Sequence, residues 1–489
     1  MLKKTLLIVF LLIMTISMIN GQEIFDFVPE DSGYFLVLRS TFDYLNALKE
    51  KTNMFSAYLA TREVDLESML KNSFESLVRD STGQESEEFV NDALKNDFLI
   101  AGEKFVLSVN DLISFDPVYL LESLKSSDSN IFLVWKSNKP ELLLKVVSAI
   151  LGMEPFVQTG SKVNELRSNS GILYFYTGNE YIIVGTSERI VNKALDTYKG
   201  ANESIVEKKE IGAKMAELSK NNWITGYFDA DSFKIELGAD WPYTVDETFL
   251  VAGIEDNRFV SRISQNITYL TEDERSRFDS WNIKIENGIE NKVFGDYVAF
   301  FPSESVGTLR NELSYWFEMD LKPYQKLADL IVQISMKSEG KVTLCGNIIS
   351  EVETPILMMK FSGKPDDYIE EKQSLREKGA TEYKYNSYEV FQIEMMTDTF
   401  YFMFNNKNAL ITTIKPEKVF ERIENGVILN EISSYNRLRS ELDDKSIVEI
   451  FIDISKIYKT VAGLDSDTAL LYKETVNEAG QIIHTISFY

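Results

Sequence analysis

Three stretches of this sequence occur twice, in the same order and at nearly the same intervals. IFLVWKSNKPE (Ile131–Glu141) matches ILMMKFSGKPD (Ile356–Asp366): an apolar strand pattern, a polar turn, then Lys-Pro-acid. Proline suits a first helical position, where its missing N–H costs nothing, and an acid in the first turn complements the helix dipole. YIIVGTSERIVNKALDTYKG (Tyr181–Gly200) matches ALITTIKPEKVFERIENG (Ala409–Gly426), each a strand pattern feeding a short amphipathic helix. Gly200 and Gly426 stand where a left-handed residue would close that helix. MAELSKNNWITGYFDADSF runs through a strand to Asp229, and RLRSELDDKSIVEIFIDISKI, with its helix reaching Leu442, runs to Asp453. The intervals argue against coincidence. Pro140 to Gly200 is 60 positions and Pro365 to Gly426 is 61; Gly200 to Asp229 is 29 and Gly426 to Asp453 is 27. Such register predicts an internal duplication.

Strand-like runs rich in Val, Ile, Phe and Tyr recur at Tyr34–Leu38, Ile131–Trp135, Ile172–Tyr176, Tyr181–Val184, Ile224–Phe228, Phe249–Ile254, Tyr297–Phe301, Lys341–Ile348, Ile356–Phe361, Phe400–Phe404, Ala409–Ile414 and Val448–Ile452. Between them lie apolar residues at helical spacing. Several strands follow one another across short loops, which favours antiparallel pairing over strict βαβ alternation. The predicted fold is α+β: two tandem duplicated units, each a mainly antiparallel sheet covered by helices. Thr271–Asn291 is charged and weakly apolar, and YVAFFPS (Tyr297–Ser303) echoes YFLVLRS (Tyr34–Ser40). That places the junction near residue 290, with one unit over 22–290 and the other over 291–489.

The opening FDFVPEDSGYFLVLRS, the strand-turn-Lys-Pro unit, YIIVGTSERIVNKALDTYKG and GYFDADSF together resemble a bacterial extracytoplasmic family catalogued only as a domain of unknown function. The resemblance covers most of Phe25–Phe233 and, more faintly, the second half. It rests on the Pro-plus-acid motif Val28-Pro29-Glu30-Asp31 before a strand, and on Gly-Thr-Ser before a helix ending in Lys-Gly. It implies export and this fold. The family's motifs are structural and bring no catalytic residues.

The N-terminus carries its own export signal. Lys3 and Lys4 precede an apolar run, Thr5–Ile19, which Asn20 and Gly21 end. That is the order of a signal peptide, here residues 1–21. The run falls short of the ~20 residues a spanning helix needs. Gly21 suits the position before a cut but Ile19 is bulky, so cleavage and an uncleaved N-terminal anchor both stay open. No cysteine follows the run, which argues against lipid attachment, and no later uncharged segment reaches membrane-spanning length. The location expected is extracytoplasmic: periplasm, cell envelope or secreted.

The formal net charge is −25, and losing Lys3 and Lys4 with the signal takes it to −27. A surface this negative repels phosphate backbones, so nucleic acid is an unfavourable partner. One cysteine, Cys345, permits no intrachain disulfide, and it reads as a small buried strand residue. One histidine, His484, lies in an alternating C-terminal segment; histidine-based zinc sites and Ser-His or Cys-His chemistry require more. The faint barrel-like alternation of Ile482, His484 and Ile486 is outweighed by helices with broad apolar faces.

Two residues present themselves as metal ligands, Asp229 and Asp231 of FDADSF, whose i, i+2 carboxylates could share a divalent cation. The further oxygen ligands and turn glycine of a calcium loop are missing, and a strand-ending turn explains the pair more simply. Tyr174, Tyr176, Tyr383, Tyr385, Tyr388 and Tyr401 could stack on sugars, but tyrosine is also ordinary strand packing. No cofactor motif is present; the scattered glycines make no phosphate-cradling loop. The expectation is a non-enzymatic binding or scaffold module of the envelope, with a protein, peptide, lipid or glycan partner. The alternative is a carboxylate- or metal-dependent extracytoplasmic hydrolase.

Overall fold

The computed structural model describes residues 22–52, most of 71–83, 87–104, 130–218 save 159, 169 and 170, 222–230, 232, 243–284 save 282, 292–307, 325–347 save 339, 357–362, 368–395, 398–428, 431–439 and 445–488 save 464. The signal segment 1–21, Asp231, Pro365, Leu442 and the expected junction near residue 290 lie outside the described residues. The protein is mixed α+β, with a large antiparallel sheet and twelve α-helices among the described residues. It divides into two compact units, one of Met1–Glu236 with Val245–Asn266, the other of Leu237–Thr244 with Ile267–Tyr489.

The first unit uses β1 (Tyr34–Leu38), β2 (Phe98–Lys104), β3 (Asn130–Lys136), β4 (Glu154–Phe156), β5 (Asn164–Ser168), β6 (Gly171–Thr177), β7 (Tyr181–Gly185), β8 (Ile224–Asp229) and most of β9 (Tyr243–Glu255) and β10 (Arg258–Tyr269), whose ends Tyr243–Thr244 and Ile267–Tyr269 belong to the second unit. Each pairs with the next in the order β4-β5-β6-β7-β3-β2-β1-β8-β9-β10. The strand interiors are apolar on both faces because helices cover both. Phe132, Val134 and Ile183 pack with Ile190, Val191, Ala194 and Leu195 of the helix Glu188–Tyr198. Trp135, Ile182 and Val184 face the other way, against Leu143, Val146 and Val147 of the helix Pro140–Leu151 and Phe89, Val90 and Ala93 of the helix Glu87–Lys95. A fully buried side chain of this size contributes about 1.5–3 kcal/mol.

Local signals set the helix ends. Pro140 opens its helix, and Gly152 closes it at φ 61°. Ser187 caps Glu188–Tyr198 by accepting from Ile190 N at 3.3 Å, and Gly200 follows at φ 73°. Gly426 departs from the expectation: its φ is not positive, and the chain runs directly into the short strand Val427–Ile428, so the backbone extends where it would otherwise curl. The Pro-acid motif ties Phe25–Pro29 to the loop after the helix Glu188–Tyr198. Pro29 bridges to Ser204, Ile205 N donates to Val28 O at 2.9 Å, and Ser204 Oγ donates to Phe25 O at 2.9 Å.

The second unit contains β11 (Ile283–Lys284), β12 (Lys292–Val293), β13 (Tyr297–Pro302), β14 (Lys341–Gly346), β15 (Leu357–Ser362), β16 (Thr381–Tyr385), β17 (Tyr388–Met395), β18 (Asp398–Phe404), β19 (Asn408–Thr412), β20 (Val427–Ile428), β21 (Lys445–Ser446), β22 (Val448–Ile452), β23 (Leu470–Val476) and β24 (Ile482–Phe488). Its main ladder runs β16-β17-β18-β19-β15-β14-β13-β22-β23-β24, antiparallel throughout. One face buries Val298, Phe300, Cys345 and Phe451 beneath Val419, Tyr435 and Leu438. The other buries Phe301, Val342, Phe361 and Phe402 beneath Leu327, Leu330 and Ile334 of the helix Gln325–Met336 and Leu375 of the helix Ile369–Glu377. Cys345 lies in this core opposite Val298, and burial pushes its thiol up to about 11.

Candidate functional site

Polar side chains concentrate where β14, β22, β23 and β24 of the second unit meet. Glu449 stands opposite Lys473, and Glu474 stands opposite His484. Side chains alternate along a strand, so neighbouring residues point to opposite faces. One polar group therefore lies on each face of the same sheet.

On the first face, Glu449 is fully buried and Lys473 is 1% exposed. The helix Ser433–Arg439 packs over them. Its Tyr435 hydroxyl donates to Glu449 Oε1, and Arg439 Nε lies 3.5 Å from the same oxygen. Lys341, at the start of β14, donates to the Ser446 carbonyl and, at 3.1 Å, to Ser446 Oγ. Burial pushes the Lys341 ammonium down to about 7, a shift that Glu449 opposes and Lys473 and Arg439 reinforce. The Tyr435 hydroxyl is pushed up, by burial first and by Glu449 second.

On the second face, the Tyr472 hydroxyl lies 2.9 Å from His484 Nδ1 and 3.4 Å from Glu474 Oε2. Burial raises Glu474 to about 7 and lowers His484 to about 4. The 3.8 Å contact between Glu474 Oε2 and His484 Nδ1 has the distance of an ion pair. The two shifts have the opposite meaning, because each favours the uncharged form. Burial is the leading cause of both, and a pair removed from water loses more hydration than a 3.8 Å contact returns. We therefore read it as a neutral pair. Tyr243, Phe278 and Trp281 belong to the neighbouring aromatic cluster.

The first unit lacks these charges at the matching ladder positions. Tyr34 is paired with Gly102 and Phe228 as Tyr297 is paired with Gly346 and Ile452. Counting from those anchors, Thr225, Val251 and Ala252 stand where the second unit has Glu449, Lys473 and Glu474. Lys341 corresponds to Asp97, which is buried near Arg39 and helps hold its charge.

Asp229, one of the two candidates from the sequence, ends β8. Its N–H donates to Gly33 O at 2.8 Å, and its carbonyl accepts from Ser232 N at 3.1 Å in the turn that follows. Among the described residues no three His, Cys, Asp or Glu side chains gather in a metal-binding group. Asp453, the counterpart of Asp229, caps the helix Ile454–Ala462 by accepting from Lys456 N at 3.2 Å. With Asp296, Tyr297, Phe451 and Lys456 it also lines a shallow cleft. The tyrosines are mostly packing groups: Tyr174 and Tyr176 lie against the first unit's core, Tyr385 and Tyr388 against Phe420.

Lys341, Glu449, Lys473 and Glu474 are not among the residues that the sequence motifs single out. Their signal was a charge inside an apolar strand run, as in VEIFI and LLYKETV. His484 stands out as the single histidine, in an alternating C-terminal segment.

A second feature lies at the first unit's sheet edge. Phe156, Ile172 and the adjoining Val157 are 44%, 43% and 70% exposed. Phe156 and Arg167 share a sheet face with Ile172, and the Arg167 guanidinium lies 3.7 Å from the Phe156 ring centre.

No protein-family model matches the chain, and no curated protein matches it. Crystal form III of TP0453 is similar over 41% of this chain and 78% of its own, at 12% identity and a TM-score of 0.24. A likeness that slight carries no argument.

Proposed function

We propose that this chain is an exported, non-enzymatic binding or scaffold protein of the cell envelope, related to the extracytoplasmic family its opening motifs resemble and built from two tandem copies of one α+β unit. The duplication is supported by the common pairing order of the two ladders. It is supported again by their closing hydrogen bonds. Gly33 N donates to Gly102 O and Asp229 N to Gly33 O; Asp296 N donates to Gly346 O and Asp453 N to Asp296 O. The four distances lie between 2.7 and 2.9 Å.

The binding reading is carried by the exposed edge of β4–β6. Phe156 and Ile172 flank Arg167 on one sheet face, with the exposed Val157 next in sequence, and clustered exposed apolar residues mark contact sites. A protein or peptide partner suits it better than a lipid surface, which the net charge disfavours. The alternative hydrolase reading would centre on the cleft lined by Asp296 and Asp453. There the Asp453 carboxylate already caps a helix and lies 3.3 Å from Lys456 Nζ.

The test is purification from the native envelope, with mass spectrometry of what co-elutes, for the wild type and for Phe156→Asp. Partners retained by the wild type and lost from the variant support the proposal. An identical set from both, or none from either, overturns it. The same spectra read the N-terminus, and so distinguish cleavage at Gly21 from a retained anchor.

A further inference from the structure

We infer that Glu474, Tyr472 and His484 form a proton-switched hydrogen-bond relay that clasps the β23–β24 hairpin. Glu474 and His484 face each other across the hairpin. Tyr472 precedes Glu474 by two residues, so both side chains rise from the same face. Its single hydroxyl hydrogen can serve only one acceptor at a time.

That limit gives the relay two states. With Glu474 protonated, its hydroxyl donates to Tyr472 Oη, Tyr472 donates to His484 Nδ1, and the histidine hydrogen sits on Nε2. With Glu474 ionised, the Tyr472 hydrogen turns to the carboxylate. His484 Nδ1 then faces an oxygen lone pair and takes a hydrogen itself, leaving Nε2 bare. Water can carry that exchange, since the His484 side chain remains 20% exposed. No charge on the imidazole is needed in either state.

The surroundings set where the switch falls. β24 presents His484, β23 itself presents Tyr472, and the start of β9 presents Tyr243. From β14 the charge of Lys341 reaches Glu474 and favours its ionised form. β22 offers Val448 opposite Glu474, and Glu449 and Lys473 point to the other face. The helix Glu272–Trp281 adds Phe278 and Trp281, with Arg275 and Asp279 lying nearer Tyr269. Burial outweighs the one nearby cation, and ionisation is held off until about 7. One pH unit below that midpoint the neutral state is favoured about tenfold. The first unit has Leu250 and Ala252 at the places of Tyr472 and Glu474, so its matching strand has no such relay.

His484 is the chain's single histidine, so its ring nitrogens can be read by NMR in the full chain labelled at histidine alone. The expected result is a neutral ring above about pH 5, with the hydrogen on Nε2, passing to Nδ1 as the pH rises through about 7. Glu474→Gln should remove that step, and Tyr472→Phe should uncouple it from the carboxylate. A ring that charges near the ordinary ~6.5 overturns the inference. So does an unchanged tautomer across pH 7, or a step that persists in Glu474→Gln. The wild-type spectrum decides alone if a variant fails to fold.

Discussion

Replacing Lys341 by Met should reverse the sign of its effect on stability within the alkaline range. Burial brings the ammonium of the folded chain down to about 7, whereas in the unfolded chain it keeps its ordinary 10.5. Between those values the unfolded state binds the extra proton, so wild-type stability rises with pH. At 1.36 kcal/mol per unit the full span is worth at most about 5 kcal/mol, and partial exposure of Lys341 could halve that. Methionine removes the slope and the burial cost together. It also strips the donor from the Ser446 carbonyl and hydroxyl, a loss of about 1–3 kcal/mol. At pH 7 relief should win, leaving the variant more stable than wild type by about 0.5–3 kcal/mol. Near pH 10 only the lost hydrogen bonds remain, and the variant should be weaker by about 2 kcal/mol. The crossing falls between about pH 7.5 and 9. Urea denaturation of both proteins at half-unit pH intervals measures it. Equal slopes for the two proteins above pH 7.5, or a variant weaker at pH 7, would show that Lys341 stays charged against Glu449 and would refute the reasoning.

Three further outcomes follow from local geometry. Glu103 accepts from Arg189 and Lys193, and with Asp31 they form a surface network. That network holds its carboxyl at about 2, so its contribution is present above the unfolded value of 4.5 and fades as pH falls toward 2. After discount for solvent, Glu103→Gln should cost about 1 kcal/mol at pH 7 and nothing at pH 2, by the same denaturation assay. Gly212→Ala should destabilise although it sits in a helix, where alanine ordinarily gains about 1 kcal/mol, because a Cβ there would lie 1.9 Å from Val206 O; thermal unfolding with a raised midpoint would contradict this. Ser187→Ala should lose about 1 kcal/mol with its cap to Ile190 N, while Ser187→Asp should hold within a few tenths, again read from urea midpoints.

Continuous apolar runs are legible because burial on both sheet faces demands them. Val448–Ile452 forms a strand at the bounds read from the sequence, and Ile131–Trp135 needs one more residue at each end. A strand with mixed faces gives no such signal: β5 reads NELRS, and tertiary pairing, not composition, makes it extended. Thr271–Asn291 is charged and weakly apolar, which reads as the boundary between units, yet within it Glu272–Trp281 is a helix that turns Phe278 into an aromatic cluster. The strand match of Ile131 with Ile356 is displaced by one. The ladder sets Ile131 opposite Gly102 and Leu357 opposite Gly346, and Pro140 follows Ile131 by nine positions where Pro365 follows Leu357 by eight. A one-residue shift exchanges the two faces of a strand, which no local pattern reports. The polar cluster was illegible for a related reason. Glu449, Lys473, Glu474 and His484 converge only once β22, β23 and β24 take their register, and residue spacing along the chain gives no hint that Glu474 and His484 will meet.

The isolated, buried Cys345 gives the protein an internal clock. A thiol must be both exposed and ionised to react, and in the closed second unit this one is neither. Alkylation can therefore proceed only through molecules in which the strand β14 has opened. When closing outruns labelling, the observed rate divided by that of a free thiol is the fraction of molecules open at any instant. No mutation is needed to install the probe, and the first unit's described strands hold no competing thiol. A change made in the first unit, such as Ser187→Ala, would leave Cys345 protection untouched if the two halves open independently. The same change would erode that protection by its full free energy if they open as one.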